Sequence, residues 1–388
     1  MPILPPPVTV ADLLNQAIKA KMTLENSREI MLKPQTVKAA PSLSSKTVSD
    51  LCGLDQSQLN YQVSKGELPP GELVSGGRRR RFSVKEARQW ARHYRVAAMR
   101  PEGGRAITIS IGNFKGGVTK TSTCMSLAQG LSLRGHKVLL IDCDPQGSLT
   151  TLCGVLPHLE VKPEETLLNI IQDDDEALLS QSIRGTYWDG VDLIPATTHL
   201  FGAEFSLPAM AMKNPDFKFW DVLNVALEEV RDFYDVVLID TAPSLSYLAI
   251  NAFMASEGLI VPLPPNSLDF ASAASFWDLF SDMAANFING GRSNKNFDFV
   301  RVLQARVDPD DDSVAMVQAL IESAYGDILL PVQIPKTKVA TGQAVKFGTV
   351  FDSEQSGQKA VKAYEQLVLE VEMLVQQSWL RQLEVLNG

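Results

Sequence analysis

Two lysines, two glycines and two threonines fall within seven residues, Lys115-Gly116-Gly117-Val118-Thr119-Lys120-Thr121. A glycine-rich turn opening a helix on Lys-Thr is a phosphate cradle. Its glycines let backbone N–H groups approach phosphate oxygens, and the helix N-terminus favours negative charge. In that pattern Lys120 reaches the β- and γ-phosphates, the Thr121 hydroxyl takes a place on Mg²⁺, and Ser122 continues the first helical turn. Three carboxylates stand where such a site needs them. Asp142 and Asp144 lie two apart at the end of KVLLIDC, and Asp240 closes YDVVLID. An apolar strand ending in Asp opposite a phosphate loop orients Mg²⁺ through a coordinated water, the role expected for Asp240. One of Asp142 and Asp144 can hold the water that attacks a metal-bound γ-phosphate.

These side chains need a scaffold that brings strand ends together. Ala106 to Ile111 reads as a buried parallel strand before the loop, and Ser122 to Leu133 as the helix after it. Further strands are expected at Lys137–Cys143, Val191–Pro195, Tyr234–Asp240, Gly258–Pro262 and Phe299–Ala305. Amphipathic helices are expected over Phe217–Arg231 and Gly357–Gln376. Strand, helix and strand in alternation predict an α/β fold with a mostly parallel sheet and helices on both faces. Ligands then bind at the carboxyl edge, where the three aspartates fall.

The front of the chain differs in charge. Residues 1–100 hold 16 Lys+Arg against 8 Asp+Glu, a net of +8, whereas the remaining 288 hold 20 against 37, a net of −17. A basic front on an acidic body suggests a nucleic-acid-binding domain joined to an enzyme core. Val8 to Met31 reads as a helix capped by Thr9 with one apolar stripe, a dimerisation element in this reading. Ser45 to Leu51, a turn at Cys52-Gly53-Leu54, and a second helix capped by Asp55 through Lys65 have helix-turn-helix spacing. That second helix offers Gln56, Gln58, Asn60 and Tyr61. Arg78-Arg79-Arg80-Arg81 suits a wing that tracks phosphates, and Ser83 caps a third helix through Tyr94. The four cysteines lack metal spacing and read as free thiols in a reducing compartment. No apolar run is long enough to span a membrane, and no secretory leader is evident.

The K-G-G-x-x-K-[ST] loop, with Lys115 preceding the usual lysine, resembles the deviant Walker A box of the ParA/MinD family of P-loop ATPases. Thr119 stands where chromosomal relatives have glycine, and larger plasmid and phage members tolerate other residues there. The resemblance implies ATP/ADP and Mg²⁺ as cofactors, Lys115 acting in trans across a nucleotide-sandwich homodimer, and Asp144 holding the attacking water. Asp142 then supports the Mg²⁺ shell. Pro264 and Asp269, in VPLPPNSLDF, correspond to the adenine-lining segment, and Lys336, Lys338 and Lys346 to a patch for non-specific DNA binding. The order of the N-terminal elements resembles the winged helix of larger plasmid members. The expected organisation is an N-terminal helix and linker (1–40), a winged helix-turn-helix domain (41–100) and an ATPase domain (101–388). The expected function is plasmid segregation in the cytoplasm on the nucleoid, with stimulation by a ParB-like partner and autorepression. The alternatives are a nucleotide-sensing repressor and a MinD-like positioning ATPase.

Overall fold

A computed structural model describes residues 9–31, 38–74, 76–77, 79–171, 178–289, 295–308, 310–336, 348–352 and 357–387. Thr9 caps helix α1 (Val10–Met31) by exchanging hydrogen bonds with Asp12. The helix exposes Val10, Leu13, Leu14, Ile18 and Met22. After the linker, strand β1 (Leu43–Ser44) leads into α2 (Ser45–Cys52). Gly53, in the left-handed region at φ +67°, ends α2, a conformation glycine adopts without a Cβ clash. Helix α3 (Gln56–Lys65) starts in a capping box between Asp55 and Gln58, which satisfies orphan amides at both ends of that turn. Strands β2 (Glu72–Val74) and β3 (Arg79–Phe82) pair as an antiparallel hairpin, with β1 on the other side of β3. Ser83 and Glu86 form a second capping box that begins α4 (Val84–Tyr94). Val48, Leu59, Phe82, Ala87 and Trp90 give this module its own core.

The apolar run before the phosphate loop is strand β4 (Ile107–Ile111), buried throughout. A strand with no polar face belongs inside a sheet covered on both sides. It is joined by β5 (Val138–Asp142), β6 (Arg184–Gly185), β7 (Val191–Ile194), β8 (Val236–Asp240), β9 (Gly258–Leu263), β10 (Phe299–Val307) and β11 (Leu329–Pro335). The order is β11-β10-β9-β4-β8-β5-β7-β6. Only the edge pair β6–β7 is antiparallel. Helix α5 (Lys120–Leu133) and the closing helix Gln358–Asn387 pack together against one face. Gly130 permits that approach, since a Cβ there would lie 2.3 Å from Val368 Cγ2.

Two helix boundaries differ from expectation. The helix expected over Phe217–Arg231 is regular only over Val222–Leu227. The Asn251 side chain accepts from the Leu223 amide and donates to the Phe219 carbonyl, which fixes the start. Beyond Leu227 the chain tightens into i→i+3 turns. The closing helix runs past Gln376 to Asn387 because its last turns have partners: the Trp379 indole donates to the Arg105 carbonyl, and the Gln382 side chain accepts from the Arg105 amide.

The module is tied to the body through α5. Arg88 and Arg92 of α4 and Arg95 just after it donate to the carbonyls of Ser132 (3.1 Å), Gly135 (3.1 Å) and Arg134, at and just past the end of α5. The last carbonyls of a helix lack intrahelical partners and carry the negative end of its dipole, so three guanidiniums suit them. Beside them Glu372 of the closing helix, its side chain 4% exposed, accepts from Arg95 (2.7 Å), Arg134 (2.6 Å) and His136 (2.7 Å).

Burial alone would raise the Glu372 carboxyl, but hydrogen bonds from His136, Arg134 and Arg95 override it and bring it down to about 2. A depressed carboxyl contributes stability that is complete above its unfolded value near 4.5 and is lost as pH falls through about 2. Glu372→Ala, which leaves these cations without their carboxylate, is expected to lower the unfolding free energy by ~3–5 kcal/mol. Denaturant melts at pH 7 check that loss. A Glu372→Gln chain should show a weaker pH dependence of stability between those two values.

Candidate nucleotide site and nucleic-acid interface

The strand register sets the site. Asp240 is the Cα partner of both Ile111 and Asp142, so the metal-site aspartate and its neighbour end their strands level with the start of the loop. Asn113 fastens the loop's first residues, donating to the Pro262 carbonyl (2.8 Å) and accepting from the Lys115 amide (3.0 Å). Gly117 and Thr119 both have φ of 76°. For glycine this is free, but for a β-branched residue it is strained. The first bond of α5 runs from the Thr123 amide to the Thr119 carbonyl. The amides of Lys120, Thr121 and Ser122 therefore have no acceptor within the helix, an arrangement that suits an anion.

Lys120, 6% exposed, folds its ammonium back onto the Lys115 carbonyl at 2.9 Å. Burial lowers its pKa, opposed by the charges of Asp240 and Asp144. Lys115 is half-buried. Asp240 is fully buried, and neither of its oxygens has a hydrogen-bond partner among the described residues. Burial, then the charge of Asp142, push its carboxyl well up, while Lys120 and the Thr121 hydroxyl, which is near but makes no well-formed hydrogen bond to it, act the other way. An orphaned buried carboxylate needs an explanation. A hydrated divalent cation between Asp240 and Thr121 would satisfy it.

Asp142, expected to support the metal shell, has both carboxylate oxygens engaged by neighbouring donors. One oxygen accepts from the Asp144 amide (3.1 Å), and the other accepts from the Thr150 amide (2.8 Å) and hydroxyl (2.7 Å). It brackets the loop that carries Asp144. Burial raises its carboxyl to about 7 against those hydrogen bonds. Asp144 itself is half-buried and faces the same cavity as the loop; one of its oxygens accepts from the Gln146 amide at 2.9 Å.

That cavity, about 670 Å³, is lined by Gly116 through Ser122, Asp144, Pro243, Arg306, Pro335 and Thr349, among others. Pro264 and Asp269 are not in its wall. Asp269 is 7% exposed and accepts from the Asn266 side chain, so its carboxylate closes its own turn. Arg306 was missed in the sequence. A charge interrupting the apolar pattern of LQARV at a strand's carboxyl end was the signal for it.

The expected DNA-facing residues divide. Gln56, Asn60 and Tyr61 are exposed on α3, with Lys65 over the Tyr61 ring at 5.0 Å. Gln58 is also exposed, but its carbonyl accepts from the Asp55 amide at 2.8 Å. Arg79 is exposed, Arg80 donates to the Pro70 carbonyl, and Arg81 is half-buried on the wall of a cavity shared with the body. Lys336 pairs with Asp308 at 3.0 Å and lines the loop cavity. Arg78, Lys338 and Lys346 lie outside the described residues.

A family model described as an AAA domain matches residues 106–289. A Rhizobium rhizogenes protein, provisionally named replication protein A, is 32% identical over 364 residues, 89% of each chain. Protein SopA of Escherichia coli strain K12 is 30% identical over 316 residues, 78% of this chain and 79% of its own. Among solved structures, cobyrinic acid a,c-diamide synthase from Mycobacterium smegmatis with bound ADP and magnesium aligns with a TM-score of 0.52 at 28% identity. It covers 69% of this chain and 94% of its own. A partition protein aligns with a TM-score of 0.67 over 94% of this chain and 98% of its own; at 19% identity this is a likeness of fold.

Proposed function

From its membership of the ParA/MinD family of P-loop partition ATPases, to which this chain belongs, we propose that it hydrolyses ATP to drive plasmid segregation. The observation that carries this is the orphaned Asp240 carboxylate beside Thr121 and Lys120, at the mouth of a loop with two lysines. Thr121 and Asp240 hold Mg²⁺, which when bound neutralises charge on the phosphate oxygens. The free amides of α5 and the Lys120 ammonium bind the phosphates. Asp144, bracketed by Asp142, orients the attacking water, and Lys115 reaches the partner's γ-phosphate in a sandwich dimer.

In the same reading residues 1–40 dimerise through the exposed stripe of α1, residues 41–100 form a winged helix-turn-helix that represses the protein's own operon, and residues 101–388 are the ATPase. The ATP dimer binds nucleoid DNA without sequence preference and is stimulated by a ParB-like centromere-binding partner. The contact of α4 with the end of α5 supports a link between nucleotide state and operator binding, since α5 also carries the phosphate site. The MinD-like alternative, which needs a C-terminal amphipathic helix free to lie on a membrane, is disfavoured by how the closing helix is held. At the chain's end, Trp379 is buried and Arg381 donates to the Asp298 carbonyl.

Two measurements on the full chain test this. Wild-type protein should bind and turn over ATP with Mg²⁺, and failure to bind any adenine nucleotide would refute the reading. Footprinting on the protein's own promoter should separate the module's contacts. Asn60→Ala or Tyr61→Ala is expected to lose ~1–3 kcal/mol of discrimination, whereas Arg79→Ala weakens all sequences alike and flattens the salt slope by about 1. Unchanged footprints in all three variants would remove the module from operator binding.

A further inference from the structure

Among the described residues only two non-glycine residues have positive φ, Thr119 at 76° and Arg306 at 56°. Both line the same cavity. Arg306 lies where the register of β10 against β11 breaks, between the pairs Gln304↔Gln333 and Val307↔Pro335. A bulge re-aims a side chain, and left-handed backbone at a non-glycine residue gathers at functional sites. Here the guanidinium is turned onto the loop: its Nη1 donates to the Gly117 carbonyl at 2.9 Å. The contact spans 189 residues of sequence. The neighbouring cation, Lys336, is already paired with Asp308, whereas no carboxylate among the described residues lies in salt-bridge range of Arg306. Arg306 is exposed, so packing does not explain its strained backbone.

We propose that Arg306 is a positioning residue of the nucleotide site. Through the Gly117 carbonyl it holds the loop with its amides turned towards the phosphates, and its remaining N–H groups face the anionic ligand along the cavity wall. A planar fork with five donors can do both at once. This rests on the reading of the cavity as a nucleotide site.

The backbone conformation supplies a clean test. Arg306→Gly removes the side chain while keeping a φ of 56° that glycine adopts without strain. Arg306→Lys keeps a charge and a single donor. Fluorescent ADP and ATP analogues with Mg²⁺ report affinity, and melting without nucleotide reports the fold. The glycine variant should melt no lower than wild type yet bind both nucleotides about tenfold more weakly, as for one lost charge-assisted hydrogen bond. Its melting temperature should also rise less on saturation with ADP. The lysine variant should fall between. Affinity within twofold of wild type in Arg306→Gly overturns the inference alone. A fall in nucleotide-free stability that accounts for the weaker binding, with no recovery in Arg306→Lys, overturns it in favour of a structural role. Wild-type protein that binds no nucleotide overturns the site reading, and the inference with it.

Discussion

Lys120→Ala is expected to reduce ATP affinity by about 10²–10⁴-fold, the loss of two charge-assisted contacts at ~1.5–3 kcal/mol each. The geometry makes this loss specific. Lys120 is 6% exposed and its ammonium rests on the Lys115 carbonyl, inside the loop it would serve. Burial already lowers its pKa, so the fold gains little from keeping the charge there. Removing it should leave the nucleotide-free protein folded. Asp240 would lose a positive charge that opposes the upward push of burial on its carboxyl, and Mg²⁺ binding should weaken in parallel. Calorimetric titration with ATP and Mg²⁺, alongside melting without nucleotide, separates loss of binding from loss of fold. Near-normal ATP affinity in a folded Lys120→Ala chain would remove the loop from phosphate binding.

The sequence shows most plainly what is decided within a few residues. Asp55 and Ser83 cap their helices where expected because a capping box is complete within four residues. The central strands are legible because strands buried on both faces are apolar throughout. What escapes is decided across the chain. The hold on Asp142 comes from Thr150, eight positions on, which donates twice to one of its oxygens. Arg306 acquires its position from a bulge that depends on the pairing of β10 with β11. Nothing local marks Val222 as a helix start, since Asn251 fixes it through the Leu223 amide.

The charge asymmetry carries the same lesson. The excess of +8 in residues 1–100 suggests a nucleic-acid face, yet Lys38, Arg88, Arg92, Arg95 and Arg100 all bond to the body instead. Lys38 pairs with Asp352 and Arg100 with Asp235, while Arg88 pairs with Asp189 and caps α5 beside Arg92 and Arg95. Net charge counts cations without saying what they face. The argument for DNA contact therefore narrows to the exposed side of α3 and to Arg79.

Mixing Lys115→Ala with Asp144→Ala is expected to restore ATP turnover that neither variant has alone. The two residues differ in how the fold holds them. Asp144 is fixed by its own amide on Asp142 and by the Gln146 amide on its carboxylate, so it serves the site of its own subunit. Lys115 has its backbone pinned by Asn113 and Lys120, while its half-buried side chain is not in the wall of its own subunit's cavity, as suits a lysine that serves a neighbouring subunit. A charge supplied in trans to a phosphoryl transition state can contribute ~10³-fold or more, as an arginine finger does, with lysine giving less. Each single variant should therefore bind ATP as a monomer nearly as wild type does and hydrolyse it poorly. In a mixed dimer, the Asp144→Ala subunit lends its intact Lys115 to the partner that still has Asp144. One of the two sites is then complete. With random pairing, half the dimers are mixed, so turnover should return to about a quarter of the wild-type value for a symmetric two-site dimer. If mixed dimers form, shown by crosslinking differently tagged chains, and turnover stays at the level of the separate variants, Lys115 acts within its own subunit or not at all.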